Sequence, residues 1–152
     1  GDFAHPVRAR GRLVHDDSSA VAKKKRFLAG DFSENDPCSA DTELIPLRRF
    51  GKDMTLVRAI PHTGRQHQIR ATLFSLGFPL AGDKLYGPDE RIFLKIRSQT
   101  ISDADRALLR LPAQALHSER LEFRHPFLNK QIRCVSPMPE SWEKFKKQES
   151  IQ

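Results

Sequence analysis

Alternating apolar and polar positions mark two strands in the first half of the chain. Over residues 54–60, Leu56, Arg58 and Ile60 alternate with Thr55, Val57 and Ala59, a period of two with one well-buried and one mixed face. Residues 43–50 read as its partner, with Gly51-Lys52-Asp53 as the turn, so the spacing predicts a hairpin. After Pro61 the period changes. Ile69, Leu73 and Leu76 recur at i, i+4 and i+7, one apolar stripe of a helix over 65–76, and Gly77 stands where a left-handed residue ends a helix. Residues 31–41 and 78–88 read as irregular, the second with turns at Gly82-Asp83 and Gly87-Pro88. Ser102-Asp103-Ala104-Asp105 has the form of a capping box opening a short helix to about Leu111, stopped by Pro112. Leu121 and Phe123 alternate with Glu122 and Arg124 as a strand. Residues 125–130 then turn, 131–136 return, and 141–147 predict a terminal helix docking Trp142 and Phe145. Hairpins dominate, so the expected class is α+β, a mixed, mainly antiparallel sheet with flanking helices.

Composition narrows the picture. The 152 residues suffice for one domain, 1–152. No run approaches the roughly 18 apolar residues of a membrane span, and no membrane partner is expected. Cys38 and Cys134 lack metal-ligand spacing, which points to a reducing, cytoplasmic setting without disulfides. The start, Gly1-Asp2-Phe3, has neither Met nor a signal pattern and reads as a fragment, a processed chain or a cloning boundary. Lys and Arg outnumber Asp and Glu 26 to 19, a net charge of +7 that suits phosphate backbones. The run Lys23-Lys24-Lys25-Arg26 reads either as a phosphate contact or as a solvated face.

The chemistry concentrates in Pro61-His62-Thr63-Gly64-Arg65-Gln66-His67-Gln68-Ile69-Arg70, at the predicted strand-to-helix junction. A helix start exposes backbone N–H groups that suit an anion, and His67 and Arg70 are three apart, on one helical face. By itself this reads as a phosphate- or carboxylate-facing site, or as the polar face of an ordinary amphipathic helix.

Thr63-Gly64-Arg65-Gln66-His67-Gln68-Ile69-Arg70 closely resembles the TGRxHQIR signature of the RluA-type pseudouridine synthases. Gly77-Phe78-Pro79-Leu80-Ala81-Gly82-Asp83-Lys84-Leu85-Tyr86-Gly87 resembles that family's G-h-P-I-x-G-D-x-x-Y-G element. Leu116-His117-Ser118-Glu119-Arg120-Leu121-Glu122-Phe123-Arg124-His125-Pro126 resembles its L-H-A-x-x-L-x-F-x-H-P element, with Ser118 in place of Ala, and Pro137-Met138-Pro139 its closing segment. The family's H-R-L-D-x-x-T-S-G motif, which carries the nucleophilic Asp, does not occur here, nor does its K-x-Y-x-A segment. Asp16 and Asp17, after Arg12-Leu13, lack that context.

The resemblance implies the C-terminal portion of a pseudouridine synthase catalytic domain, with the catalytic-Asp segment upstream. It implies isomerisation of specific uridines in structured ribosomal or transfer RNA, without cofactor or metal, by an enzyme whose isolated C-terminal part is inactive. The oligomeric expectation is a monomer. The resemblance assigns Arg70 as partner of the nucleophilic Asp, and Ile69, Arg65, His67 and Gln68 to substrate binding or support of the pocket. Gly82, Asp83, Tyr86 and Gly87 are expected to be structural, with Asp83 bracing its turn and Tyr86 packing on the helix. His117 and His125 are expected to pack or hydrogen-bond. Two other readings compete: a non-catalytic RNA-binding module of the same fold, and a hydrolase using His67 with Asp83 as an acid–base pair.

Overall fold

The structure, a computed structural model, describes residues 1–33, 35–50 and 53–142. It divides into two compact units, Gly1–Gln114 and Ala115–Gln152. The first holds a four-stranded sheet, β1 (Val7–His15), β2 (Lys25–Ala29), β3 (Ser39–Phe50) and β4 (Met54–Pro61), in the order β2-β1-β3-β4. Every pairing is antiparallel. Three helices follow, α1 (Gln68–Ser75), α2 (Arg91–Arg97) and α3 (Asp103–Leu109). The class is α+β, an antiparallel sheet with flanking helices.

Strand β1 alternates strictly. Ala9, Gly11 and Leu13 face the interior while Arg8, Arg10 and Arg12 face solvent. A Cβ on Gly11 would fall 2.0 Å from the Leu28 carbonyl oxygen, so glycine lets β2 lie close. Neither β1 nor β2 was expected. The buried positions of β1 are small rather than large and apolar, which mutes the period-two signal. In β2, Phe27 is buried between exposed Arg26 and Leu28. The expected hairpin is β3–β4, with β3 beginning at Ser39 inside the stretch read as loop. Its register shifts between Pro46 and Arg48, where a proline cannot donate to the ladder.

Helix α1 packs on the sheet. Ala71 joins Ala9, Leu13, Phe27, Ala40, Leu85 and Tyr86 in one apolar cluster, and Leu73 joins Phe3 and Leu44 in another. Burying a leucine of this kind contributes about 1.5–3 kcal/mol. The helix ends as foreseen. Gly77 is left-handed (φ 84°), its N–H donates to the Phe74 carbonyl, and the Phe78 N–H donates to that of Leu73. These are the two bonds of a Schellman cap, and Phe78 packs in the same cluster as Leu73.

The start differs from the expectation. His67 is left-handed (φ 60°), so the helix opens at Gln68 rather than at 65, and its buried residues are Gln68, Ala71, Thr72 and Leu73. Ile69 and Leu76 are only partly buried.

The capping box of α3 forms as expected. The Ser102 hydroxyl accepts from the Asp105 N–H, and the Asp105 carboxylate accepts from the Ser102 N–H. Lys95 of α2 donates to Asp105, and with the Ser102 bonds it holds that carboxyl down at about 2. Helix α2, seven residues long, is too short for its periodicity to stand out and was not expected.

In the second unit β5 (Arg120–Arg124) and β6 (Gln131–Val135) form the expected hairpin, with Phe123 opposite Ile132. The His117 ring bonds the Ser136 carbonyl, and His125 accepts from the Phe127 and Leu128 N–H groups within its turn. Residues 140–142 are helical, as expected for the start of the terminal helix, and the rest of it, with Phe145, lies outside the described residues. Cys38 and Cys134 are free thiols. Among the described residues no helix is long and apolar enough to cross a membrane.

Candidate functional site

The segment leaving β4 is stitched to the start of β3 through one buried side chain. Gln68 donates from Nε2 to the Asp41 carbonyl (3.1 Å) and to Thr42 Oγ1 (2.9 Å). Its Oε1 accepts from Thr63 Oγ1 (2.9 Å) and from the Arg65 N–H (2.9 Å). Both donors and both acceptors of the amide are thereby used. Thr63 Oγ1 also accepts from the Asp41 N–H, and the His62 N–H donates to the Asp41 carbonyl. Arg65 anchors by Nε to the Ser39 carbonyl (3.0 Å) and is otherwise exposed. Of the five expected site residues, Gln68 is thus an internal brace, Arg65 a rim residue, and Ile69 packs toward Phe3 and Leu73.

His67 is not on the helical face that its spacing from Arg70 predicted, yet both residues contact Tyr86. Arg70 forks Asp83, Nε to Oδ2 at 2.7 Å and Nη2 to Oδ1 at 2.8 Å. Asp83 is fully buried, and the Arg70 side chain is 14% exposed. Asp83 Oδ1 also accepts from the N–H groups of Leu85 (3.0 Å) and Tyr86 (2.9 Å), which braces the turn as expected. Burial pushes the Asp83 carboxyl up, but the Arg70 and Tyr86 hydrogen bonds outweigh it and hold the group below its ordinary value. Glycine makes the turn possible. Gly82 is left-handed (φ 73°), and a Cβ there would fall 2.0 Å from the Ala113 carbonyl oxygen.

Tyr86 sits beneath both residues. The Arg70 guanidinium lies over its ring at 5.0 Å, and Phe74 and His67 meet it edge-on. Its hydroxyl accepts from the Lys25 N–H (2.8 Å) and lies 3.1 Å from His67 Nδ1. Burial, then the charges of Arg70 and Lys23, push the His67 pKa down. Burial pushes that of Tyr86 up.

The basic run is divided by the fold. Lys24 is buried, bonded to Glu90 (2.6 Å) and beside Asp16 (3.9 Å), so it is a structural cation. Asp16 is equally buried, with Ser18 donating to it, while Asp17 is exposed beside His15. A second basic feature was not foreseen. Arg8, Arg10, Phe32, Ser39, Asp41, His62 and Thr63 line a recess of about 310 Å³. Arg8 forks Asp41 (3.1 and 2.9 Å), whose carboxyl is held low chiefly by that bond, and Arg10 lies over the Phe32 ring at 5.1 Å. The sequence signal for it was the alternation Arg8, Arg10, Arg12.

The described residues thus gather Arg70, His67 and Tyr86 at the buried Asp83 carboxylate, and set Arg8 and Arg10 in a separate recess with Asp41. No family model matches the chain. It is 33% identical over 133 residues to the uncharacterized RNA pseudouridine synthase YlyB of Bacillus subtilis, covering 86% of this chain and 38% of that protein. It is 44% identical over 86 residues to ribosomal large subunit pseudouridine synthase D of Nitrosomonas europaea, covering 57% and 22%. It is 33% identical over 91 residues to the dual-specificity RNA pseudouridine synthase RluA of Pasteurella multocida, covering 60% and 34%. Over the matched residues the chain belongs to the RluA-type pseudouridine synthases. It spans between about a fifth and two fifths of the length of these relatives.

Proposed function

We propose that these residues form part of the uridine-binding cleft of an RNA pseudouridine synthase acting on structured ribosomal or transfer RNA in the cytoplasm, as a monomer and without a cofactor. The observation that carries this reading is the Thr63–Arg70 segment, held against β3 by Gln68 with Arg70 set beside a buried acid. The reaction leaves the net composition of the RNA unchanged. The bond from the ribose to uracil N1 breaks, the base turns, a bond to C5 forms, the C5 proton is lost to water, and N1 gains a proton from water. A base must leave its stack for this, so the protein must grip the backbone while the base sits in a pocket. In this reading 1–152 is the C-terminal portion of the catalytic domain. Arg70 balances the nucleophilic Asp of the H-R-L-D motif, and Ile69 lines the floor under the uracil.

The 152 residues contain no H-R-L-D motif. The pure chain is therefore expected to release no tritium from C5-labelled uridine in RNA. Turnover by this chain alone would place the nucleophile within it, and Asp16 and Asp17 would be the first residues to change.

The row Arg8, Arg10, Arg12 favours RNA contact whether or not chemistry follows, which keeps a purely RNA-binding module as the second reading. If about five phosphates are neutralised, affinity for structured RNA should fall roughly 10²–10³-fold between about 50 and about 200 mM salt. Filter binding across that range measures it, and a flat response contradicts backbone gripping.

A further inference from the structure

We propose that Tyr86 is a positioning residue that fixes His67 as a neutral imidazole with its proton on Nε2, so that Nε2–H is a preset donor to an acceptor oxygen of the bound RNA. The inference rests on the RNA reading above and adds to it the roles of two side chains.

The hydroxyl of Tyr86 is the starting point. It accepts from the Lys25 backbone N–H, which can only donate. Its own single proton then needs an acceptor, because the side chain is fully buried. Among the described residues that acceptor is His67 Nδ1, at 3.1 Å. A nitrogen that accepts carries a lone pair, so the ring proton of neutral His67 lies on Nε2. Protonating the ring would turn Nδ1 into a donor, and the buried phenol proton would then face another proton. The surrounding charges oppose protonation too. Arg70 on α1, Lys25 at the start of β2 and Lys23 just before it are cations. Among the described residues whose charges act on the ring, Asp83 is the one acid, and it is already forked by Arg70. The direction of the His67 pKa shift agrees with this arrangement.

The backbone gives a second, independent pointer. His67 adopts a left-handed conformation (φ 60°, ψ 16°) at the helix start, and its side chain makes no cap bond to the helix. A left-handed non-glycine residue is strained, and such strain gathers at sites that hold a side chain for use. Here it sets the imidazole over the edge of Tyr86, with ring centroids 5.6 Å apart and planes at 86°. Nε2 has no partner among the described residues, and the ring is only partly buried. A neutral donor next to Arg70 can bind a carbonyl or phosphate oxygen without adding a further charge to the cleft.

Long-range proton–nitrogen NMR of the 152-residue chain reads the tautomer directly. At neutral pH His67 should show an unprotonated Nδ1 and a protonated Nε2. Tyr86→Phe keeps the ring but removes the hydroxyl, and should let the Nδ1-protonated tautomer appear and move the His67 titration upward. A wild-type ring protonated on Nδ1, or fully charged at neutral pH, overturns the proposal even if the variant fails to fold. An unchanged spectrum in folded Tyr86→Phe removes Tyr86 from the role.

The donor is tested by binding. His67→Gln can place an amide N–H near the Nε2 position, whereas the shorter His67→Asn cannot. With oligouridylate RNA at fixed salt, His67→Asn should lose about five- to tenfold in affinity and His67→Gln should recover most of it. The same pair measured on abasic RNA of equal length locates the oxygen. A loss on both ligands assigns a phosphate, and a loss on oligouridylate alone assigns a uracil carbonyl. No difference between the two variants on either ligand overturns the donor role. If the wild-type chain binds no RNA, the RNA reading and the donor role fail together, while the spectrum still decides the tautomer.

Discussion

Arg70→Ala and Asp83→Ala should each destabilise the chain by about 3–5 kcal/mol, because each strands the other member of a buried ion pair. Asp83 has no exposed surface and its partner little, so neither charge can turn to water. Asp83→Ala should be the worse of the two by about 1–2 kcal/mol, since Leu85 and Tyr86 also lose the oxygen that satisfies their N–H groups. Asp83→Asn keeps an acceptor for the turn but sets an uncharged amide before the Arg70 fork. Combining it with Arg70→Met removes the stranded cation, so the double variant should be more stable than the sum of the two single losses by 2 kcal/mol or more. The pH dependence follows from the Asp83 shift. Its folded pKa lies below the ordinary carboxylate value, so its contribution is complete above the unfolded value and disappears as pH falls through the folded value. Wild type should therefore lose stability below about pH 4 faster than Asp83→Asn does. Urea unfolding at pH 7 and pH 3 measures both effects. Losses under 1 kcal/mol for both alanine variants would mean that the pair behaves like an exposed one.

How far the sequence reveals this fold depends on whether the signal is local. Gly77 and the Ser102–Asp105 box act within one turn of chain, and the structure contains the cap and the box that they announce. The β3–β4 and β5–β6 hairpins join neighbouring segments and were equally legible. Strand β1 was not, because its interior face is Ala9, Gly11 and Leu13, and its meaning depends on Leu28 arriving from β2. The start of α1 was misplaced for a similar reason. Nothing local makes His67 left-handed, and the contact that accompanies this conformation comes from Tyr86, nineteen residues on.

The site shows the same division. The motif places Arg65, His67, Gln68, Ile69 and Arg70 side by side, but the fold sends them to different environments. Gln68 turns inward to Asp41 and Thr42, Arg65 reaches Ser39, and Arg70 turns to Asp83. Adjacent residues on a turn and a helix start point in different directions, so proximity in sequence cannot assign roles. One signal for the Arg70–Asp83 pair was available: an acid in a glycine turn between apolar residues must find a cation if it is buried. The sequence alone could not say that Asp83 is buried.

On the reading proposed above, in which Arg70 faces the Asp of an H-R-L-D motif, the second large effect is on catalysis. Arg70 spends Nε and Nη2 on Asp83. A guanidinium has five donors, so Nη1 and the second hydrogen of Nη2 remain for another carboxylate. One arginine can thus brace itself on Asp83 while holding a nucleophilic Asp ionised. Arg70→Ala leaves that nucleophile partly buried without its cation, a deficit of about 3–5 kcal/mol, or roughly 10²–10⁴ in rate if all of it falls on the chemical step. The Asp pKa should rise, moving the acid limb of the rate profile to higher pH. Arg70→Lys should rescue only in part, because an ammonium cannot span two carboxylates with a planar fork. Arg65→Ala, at the rim, should act mainly through RNA affinity. Stability is the confounding effect, and the double variant Arg70→Ala/Asp83→Ala separates it. With no acid left stranded at position 83, folding should recover in part, whereas the rate should not. Single-turnover rates at saturating RNA, taken where every variant is folded, decide the matter. A near-normal rate in the double variant would take Arg70 off the catalytic list and leave it as the partner of Asp83 alone.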